Sequence, residues 1–249
     1  MIKIDRRPAP VELTNEKVQE LTAKYITDRR NAVWNQSYIR SALLSMSHNK
    51  CVYCETRVDE EAKYMEIDHY FCKGAHPNEV VAWNNLVPSC KRCNVNKGSY
   101  DVAVHGSLID PTIDDPADHL SLINFRFRGR DAKGKRAIEA IYLNDTNRVV
   151  RARFDVGSSV SEAIEKLVEL AEECISNPGQ ARKVTQLERG VFALLEETRP
   201  SSEYSATAAT IVASHPDYIG LRQALLELGR WTQDFESLEL QMQTSALNR

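Results

Sequence analysis

Apolar positions Val18, Leu21, Tyr25 and Ile26 recur at helical spacing, and Thr14 stands before them as an N-cap. The pattern predicts a helix from Thr14 to about Trp34. A second helix from about Ser37 carries Ile39, Ala42, Leu43 and Met46 and runs almost into Cys51. Glu66 to Phe71 mixes β-branched, aromatic and polar residues and suits a short strand, which Lys73-Gly74-Ala75-His76-Pro77 breaks. Trp83 to Ser89 is expected to return as strand or loop. Cys90 to about Lys97 then forms a short helix that Gly98 ends. Residues 99 to 119 hold the turn formers Asp110-Pro111 and Asp114-Asp115-Pro116 and read as a loop.

From Leu120 the pattern alternates through Leu122, Phe125 and Phe127. With Ala137 to Leu143, Val149 to Phe154 and a turn at Asn144 to Asn147, it predicts a small antiparallel sheet. Beyond Ser158 the period is helical. Ile164, Leu167, Val168, Ala171 and Ile175 share one face up to Asn177-Pro178-Gly179. Further helices are expected over about Gln180 to Glu197, Tyr204 to Ser214, and from Pro216 through Leu221, Leu225, Leu228, Trp231 and Phe235. Thr244 to Arg249 are expected to fray. The fold class is therefore α+β. It comprises an N-terminal helical segment (1–50), a compact ββα unit (51–100), a loop with a small β extension (101–157) and a C-terminal helical region (158–249) for scaffolding or partner docking.

Composition changes this picture little; charge changes it more. The 249 residues carry a net charge of -3. Lys and Arg outnumber Asp and Glu by 24 to 21 up to Gly157 and are outnumbered 8 to 14 after it. A nucleic-acid partner would thus meet the first part, since the acidic second part repels phosphate. The terminal MIKIDRRPAP has no apolar run behind it, and no stretch is apolar for long enough to span a bilayer. The expected setting is cytoplasmic and reducing, without a membrane partner.

In that setting Cys51/Cys54 and Cys90/Cys93 read as ligands of a structural Zn²⁺ rather than as disulfides. Cys72 and Cys174 are left as buried thiols. Between the two pairs lie the tools of metal-assisted hydrolysis. His69 is a candidate general base. Asp68 and Asn94 offer hard oxygens to Mg²⁺ or Mn²⁺. Asn85 is placed to orient His69, with Asn84 the competing candidate, and Lys97 to hold a phosphate as a point charge. Arg92, Arg126, Arg128 and Arg130 complete the candidate nucleic-acid contacts, the last three beside Phe125 and Phe127. Read blandly, those arginines are a solvated hairpin edge, and His76 and His105 are surface or packing residues.

The run Glu66-Ile67-Asp68-His69, then Asn85-Leu86, then Cys90-x-x-Cys93-Asn94-x-x-Lys97 resembles the HNH endonucleases. The family's three letters fall on His69, Asn85 and Asn94, with Asn where many members carry a second His. The resemblance implies a ββα-metal fold and phosphodiester cleavage, of DNA first and RNA as the alternative. The flanks narrow it. Cys51-Val-Tyr-Cys-Glu55, Trp83-Asn-Asn-Leu-Val-Pro-Ser-Cys90, the run from Asp110 to His119 and Ile138 to Asn144 resemble the HNH subunit of Septu anti-phage systems. That resemblance implies an ABC/SMC-like ATPase partner, PtuA-like, encoded beside the nuclease. No G-x-x-x-x-G-K-[ST] run occurs in the chain, so ATP hydrolysis would come from that partner. The reading from a different class is a catalytically silent zinc module that binds nucleic acid or assembles a complex. It needs only the four cysteines and the helical tail.

Overall fold

A computed structural model describes residues 1–60 and 64–249. It is α+β, with eleven α-helices and two two-stranded sheets among the described residues. The chain divides into two compact units. One holds Met1, residues 3–120 and 127–144; the other holds Ile2, residues 121–126 and 145–249.

In the first unit, α1 (Asn15–Thr27) starts where expected, with the Thr14 side chain accepting from Lys17 N. It stops seven residues before Trp34. Asp28 accepts from both the backbone N and the Nε of Arg30, a local turn that competes with further helix. Helix α2 (Ser37–Met46) follows and buries Ile39, Leu43 and Met46. Strand β1 (Met65–His69) pairs antiparallel with β2 (Leu86–Cys90), in a register that sets Met65 opposite Cys90 and His69 opposite Leu86. Directly after β2 comes α3 (Lys91–Lys97), capped by the Cys90 thiol at its start and by Gly98 at φ +53° at its end. The region from 99 to 119 is not wholly loop. Asp101 and Asp115 N-cap two short helices, α4 (Val102–His105) and α5 (Pro116–His119).

The predicted sheet after Leu120 is a correction. Only β3 (Leu120–Ile123) and β4 (Arg126–Gly129) are strands, and they form the second two-stranded sheet. The stretch from 137 to 141 belongs instead to helix α6 (Ala132–Ile141), with Tyr142 its left-handed C-cap, because Asp131 accepts from Gly134 N at 2.7 Å and so caps a helix start. Ala137 and Ile141 then share its buried face. The expected strand from Val149 is likewise helical. A π-turn over Thr146–Val150 leads into α7 (Arg151–Ser176).

The second unit is a helical bundle. Val160, Ile164, Leu167, Ala171 and Cys174 form the buried stripe of α7, and α8 (Ala181–Glu196) packs Val184, Leu187 and Val191 into the same core. Gly190 lets the two helices pack closely, since a Cβ on it would meet Leu167 Cδ2 at 2.4 Å and force that side chain to move. Helix α9 (Ser205–Ser214) is followed by two helices where one was expected, α10 (Tyr218–Glu227) and α11 (Gln233–Ser245). Gly229 at φ +65° separates them. The C-terminus is not frayed. Leu247 is 1% exposed and its N donates to Thr210 Oγ1. Asn248 pairs with both backbone groups of Leu122.

Candidate active site on a strand–strand–helix unit

The two cysteine pairs meet. One sits on the turn after α2, the other at the junction of β2 and α3, and Val52 N bonds Pro88 O to hold the turn against the strand. The four Sγ atoms lie within 4.8 Å of one another. Among the described residues this is the one grouping of three or more His, Cys, Asp or Glu side chains placed to hold an ion. Four thiols this close divide their ionisation. Bonds within the cluster hold Cys90 and Cys54 below the ordinary thiol value; burial pushes Cys51 above it, and the same cluster bonds push Cys93 up. A divalent cation removes that conflict by stabilising all four as thiolates. The soft, closed S4 set fits zinc in a structural role.

Clamped at one end in this way, the hairpin and α3 bring the polar residues together. Alternation along β1 sends Glu66 and Asp68 to the side on which α3 lies. From α3, Asn94 and Lys97 share one helix face. Asn94 Nδ2 donates to Glu66 Oε2 at 2.7 Å, and Lys97 Nζ donates to Asp68 Oδ1 at 3.1 Å and to His69 O at 2.5 Å. Asp68 also accepts from the Tyr53 hydroxyl at 2.6 Å. It is 3% exposed, and burial raises its pKa while Lys97 and Tyr53 pull it back down.

His69 ends β1 and faces the other way. Its ring meets Trp34 edge-on, with centroids 4.9 Å apart, and Lys73 Nζ sits over the Trp34 ring. Nε2 lies 2.9 Å from Val80 O. A carbonyl only accepts, so Nε2 carries the proton and Nδ1 keeps the lone pair. Burial lowers the imidazole pKa to about 4, with Lys73 and Lys97 adding to that direction. The ring is thus a neutral base of defined tautomer at pH 7.

Asn85 is placed differently from the expected contact with His69. Its side chain accepts from Phe71 N and donates to Phe71 O and Glu79 O, closing the loop between the strands. It therefore acts on the loop that delivers Val80, and Val80 orients the imidazole. Asn84 is exposed. Lys97, expected at a phosphate, has its ammonium buried in the Asp68 contact. Arg92 bonds Tyr142 O and Cys93 Sγ. Arg126 bonds Thr146 Oγ1, and Arg130 bonds Leu120 O; Arg128 is exposed. His76 pairs with Asp101, and His105 lies against the Tyr100 ring. Cys72 and Cys174 are buried.

Four residues of this arrangement carried no role in the sequence reading: Tyr53, Glu66, Trp34 and Lys73. Glu66 had a signal, since i and i+2 on a strand share a face with Asp68. Nothing in the sequence pairs Trp34 with His69.

No family model matches the chain. It is 40% identical over 239 residues to the Septu protein PtuB of Bacillus thuringiensis, covering 96% of this chain and 92% of that one. A second Septu protein PtuB, from Bacillus mycoides (strain KBAB4), is 26% identical over 187 residues, 58% of this chain and 63% of the relative. No helix among the described residues is long and apolar enough to cross a membrane.

Proposed function

The chain belongs to the family of the Septu protein PtuB, and from that premise and the geometry of the site we propose that it is a metal-dependent HNH endonuclease. Its substrate is nucleic acid, DNA ahead of RNA. Its place is the effector of an anti-phage complex with an ABC/SMC-like ATPase. The observation that carries this reading is the buried His69, neutral and fixed in one tautomer by Val80 O, on the same short strand as Asp68.

The hard oxygens fit Mg²⁺ or Mn²⁺. Asp68 accepts from Tyr53, Lys97 and the His69 backbone N–H, which leaves about one of four lone-pair positions, and Asn94 keeps Oδ1 free of its contact with Glu66. Bound there, the ion would neutralise charge growing on the phosphate and the leaving oxygen. In this reading His69 Nδ1 takes the proton from the attacking water as its oxygen bonds to phosphorus and the opposite P–O bond breaks. Since His69 and Asp68 leave β1 on opposite faces, substrate or partner binding must turn the strand end so that both meet one phosphate. Val80 O keeps the ring from turning and shares the positive charge that develops. Tyr53 and Lys97 favour the ionised form of Asp68, against the burial that raises its pKa.

Incubation with plasmid DNA and with total RNA, with and without added Mg²⁺, tests this. Cleavage is expected only with the metal and only without the His69→Ala substitution. Wild-type activity in His69→Ala sinks the assignment of the base.

One observation favours the silent module. Asp68 and His69 are only 3% and 4% exposed. Adding the ATPase separates the two readings. Cleavage that begins only in its presence supports a nuclease that its partner opens; no cleavage of either polymer with the partner bound supports the module.

A further inference from the structure

Between β1 and α3 the contacts form two rungs. The inner rung is Asp68 to Lys97, buried; the outer is Glu66 to Asn94, with both residues partly exposed. The inner rung joins two opposite charges. The outer rung joins a carboxylate to a neutral amide, and its chemistry is directional. An Asn side chain can turn its amide over at small cost, presenting either Oδ1 or Nδ2 to a given point. A carboxylate only accepts. At 2.7 Å from Glu66 Oε2, Asn94 must present Nδ2. Its Oδ1 is thereby turned away from Glu66, and a cation that reaches Asn94 from that side meets an oxygen rather than an NH2. A hard cation is attracted by the first and repelled by the second.

We propose that Glu66 is a positioning residue for the divalent cation. It locks the amide of Asn94 so that Oδ1 is the ligand atom. This rests on the nuclease reading, in which Asn94 holds the metal. Glu66 acts through Asn94 and makes no step of the reaction itself. Removal of partners that orient a metal ligand costs metal affinity about 10- to 100-fold. The Gln variant is diagnostic, because its Oε1 accepts from Asn94 Nδ2 as Glu does, without the charge.

The test is Mn²⁺ binding to the full zinc-loaded chain, read by electron paramagnetic resonance of free Mn²⁺, with zinc content and melting temperature measured alongside. The set is wild type, Glu66→Ala, Glu66→Gln, Asn94→Ala and Glu66→Ala with Asn94→Ala. Glu66→Ala is expected to weaken Mn²⁺ binding about tenfold, and Glu66→Gln by less than about threefold. The double variant is expected to be no weaker than Asn94→Ala alone, since coupling of this kind is not additive. Glu66→Thr replaces the Ala variant if that one loses zinc. Unchanged binding in Glu66→Ala overturns the proposal. So does a Gln variant as weak as Ala, which would place the effect in the charge, and so does additivity in the double variant. Wild-type protein that binds no Mn²⁺ overturns both this and the metal-dependent reading. Mn²⁺ binding with the expected pattern but no cleavage supports the positioning role and counts against the nuclease alone.

Discussion

Tyr53 donates its hydroxyl proton to Asp68 across 2.6 Å, from inside the Cys51–Cys54 turn. A residue of the turn that carries two of the four clustered cysteines thus holds the carboxylate of the candidate active site. Both are fully buried, so the hydrogen bond has no competition from water. Tyr53→Phe leaves one oxygen of a buried carboxylate with a partner missing. The expected loss is about 2 kcal/mol of stability, typical for a bond to a charged group, with zinc content unchanged. Urea denaturation and metal analysis measure both.

Lys97 is the counter-ion of Asp68, with its side chain fully buried. Lys97→Met keeps the bulk and leaves the carboxylate without its cation. Breaking one side of such a pair costs about 3–5 kcal/mol. Adding Asp68→Asn should return part of that loss. A single variant as stable as wild type would show that the ion pair does not hold the fold.

His69 makes stability depend on pH. Its folded pKa is lowered to about 4 from 6.5 by burial. Between those values the unfolded chain binds a proton that the folded chain does not. The contribution is therefore complete above about pH 6.5 and is lost as pH falls toward 4, by roughly 3 kcal/mol in all. Melting curves without added Mg²⁺ should show this slope, and His69→Gln should flatten it.

Asn85 makes three hydrogen bonds to the loop between β1 and β2. Asn85→Ala should free that loop, and Val80 O with it, so the imidazole loses its fixed tautomer. Cleavage is expected to fall about 100-fold, in the range of a lost general base, while zinc stays bound. Single-turnover rates at saturating Mg²⁺ read the effect.

Cys90 serves both as a member of the thiol cluster and as the N-cap of α3. Cys90→Ser should unfold the first unit. Structural zinc contributes on the order of 10–16 kcal/mol of apparent binding free energy, more than a domain of this size has in reserve. Soluble, zinc-free protein with intact circular dichroism would refute a structural site.

The sequence shows the β1–β2–α3 unit plainly, because its signals are local. The cysteine spacing, the short strand through Asp68-His69, read two residues too far to Phe71, and the stop at Gly98 can each be read within a few residues. The sheet expected after Leu120 failed for the opposite reason. Ala137, Ile138 and Ile141 suit a short strand as well as one face of a helix, and the decision rests on Asp131 capping Gly134. The site is legible as a list of residues but not as contacts. Lys97 lies 29 positions from Asp68, and its flexible side chain would reach a phosphate as readily as a carboxylate. Only packing chooses between those. Asn85 was found by its motif, yet its partners Phe71 and Glu79 have no sequence signature, since they are backbone groups.

The pairing of Met65 with Cys90 through His69 with Leu86 has a consequence for how such a chain can diverge. Strand side chains obey parity: one inserted or deleted residue exchanges odd positions for even. Within β1 it would send Asp68 toward Trp34 and bring His69 under α3, so carboxylate and imidazole would trade places with no change in composition. Natural variation in length should therefore be absent from 65–69 and 86–90. It should collect in the connecting segment that Asn85 staples shut, where an extra residue moves neither group across the sheet.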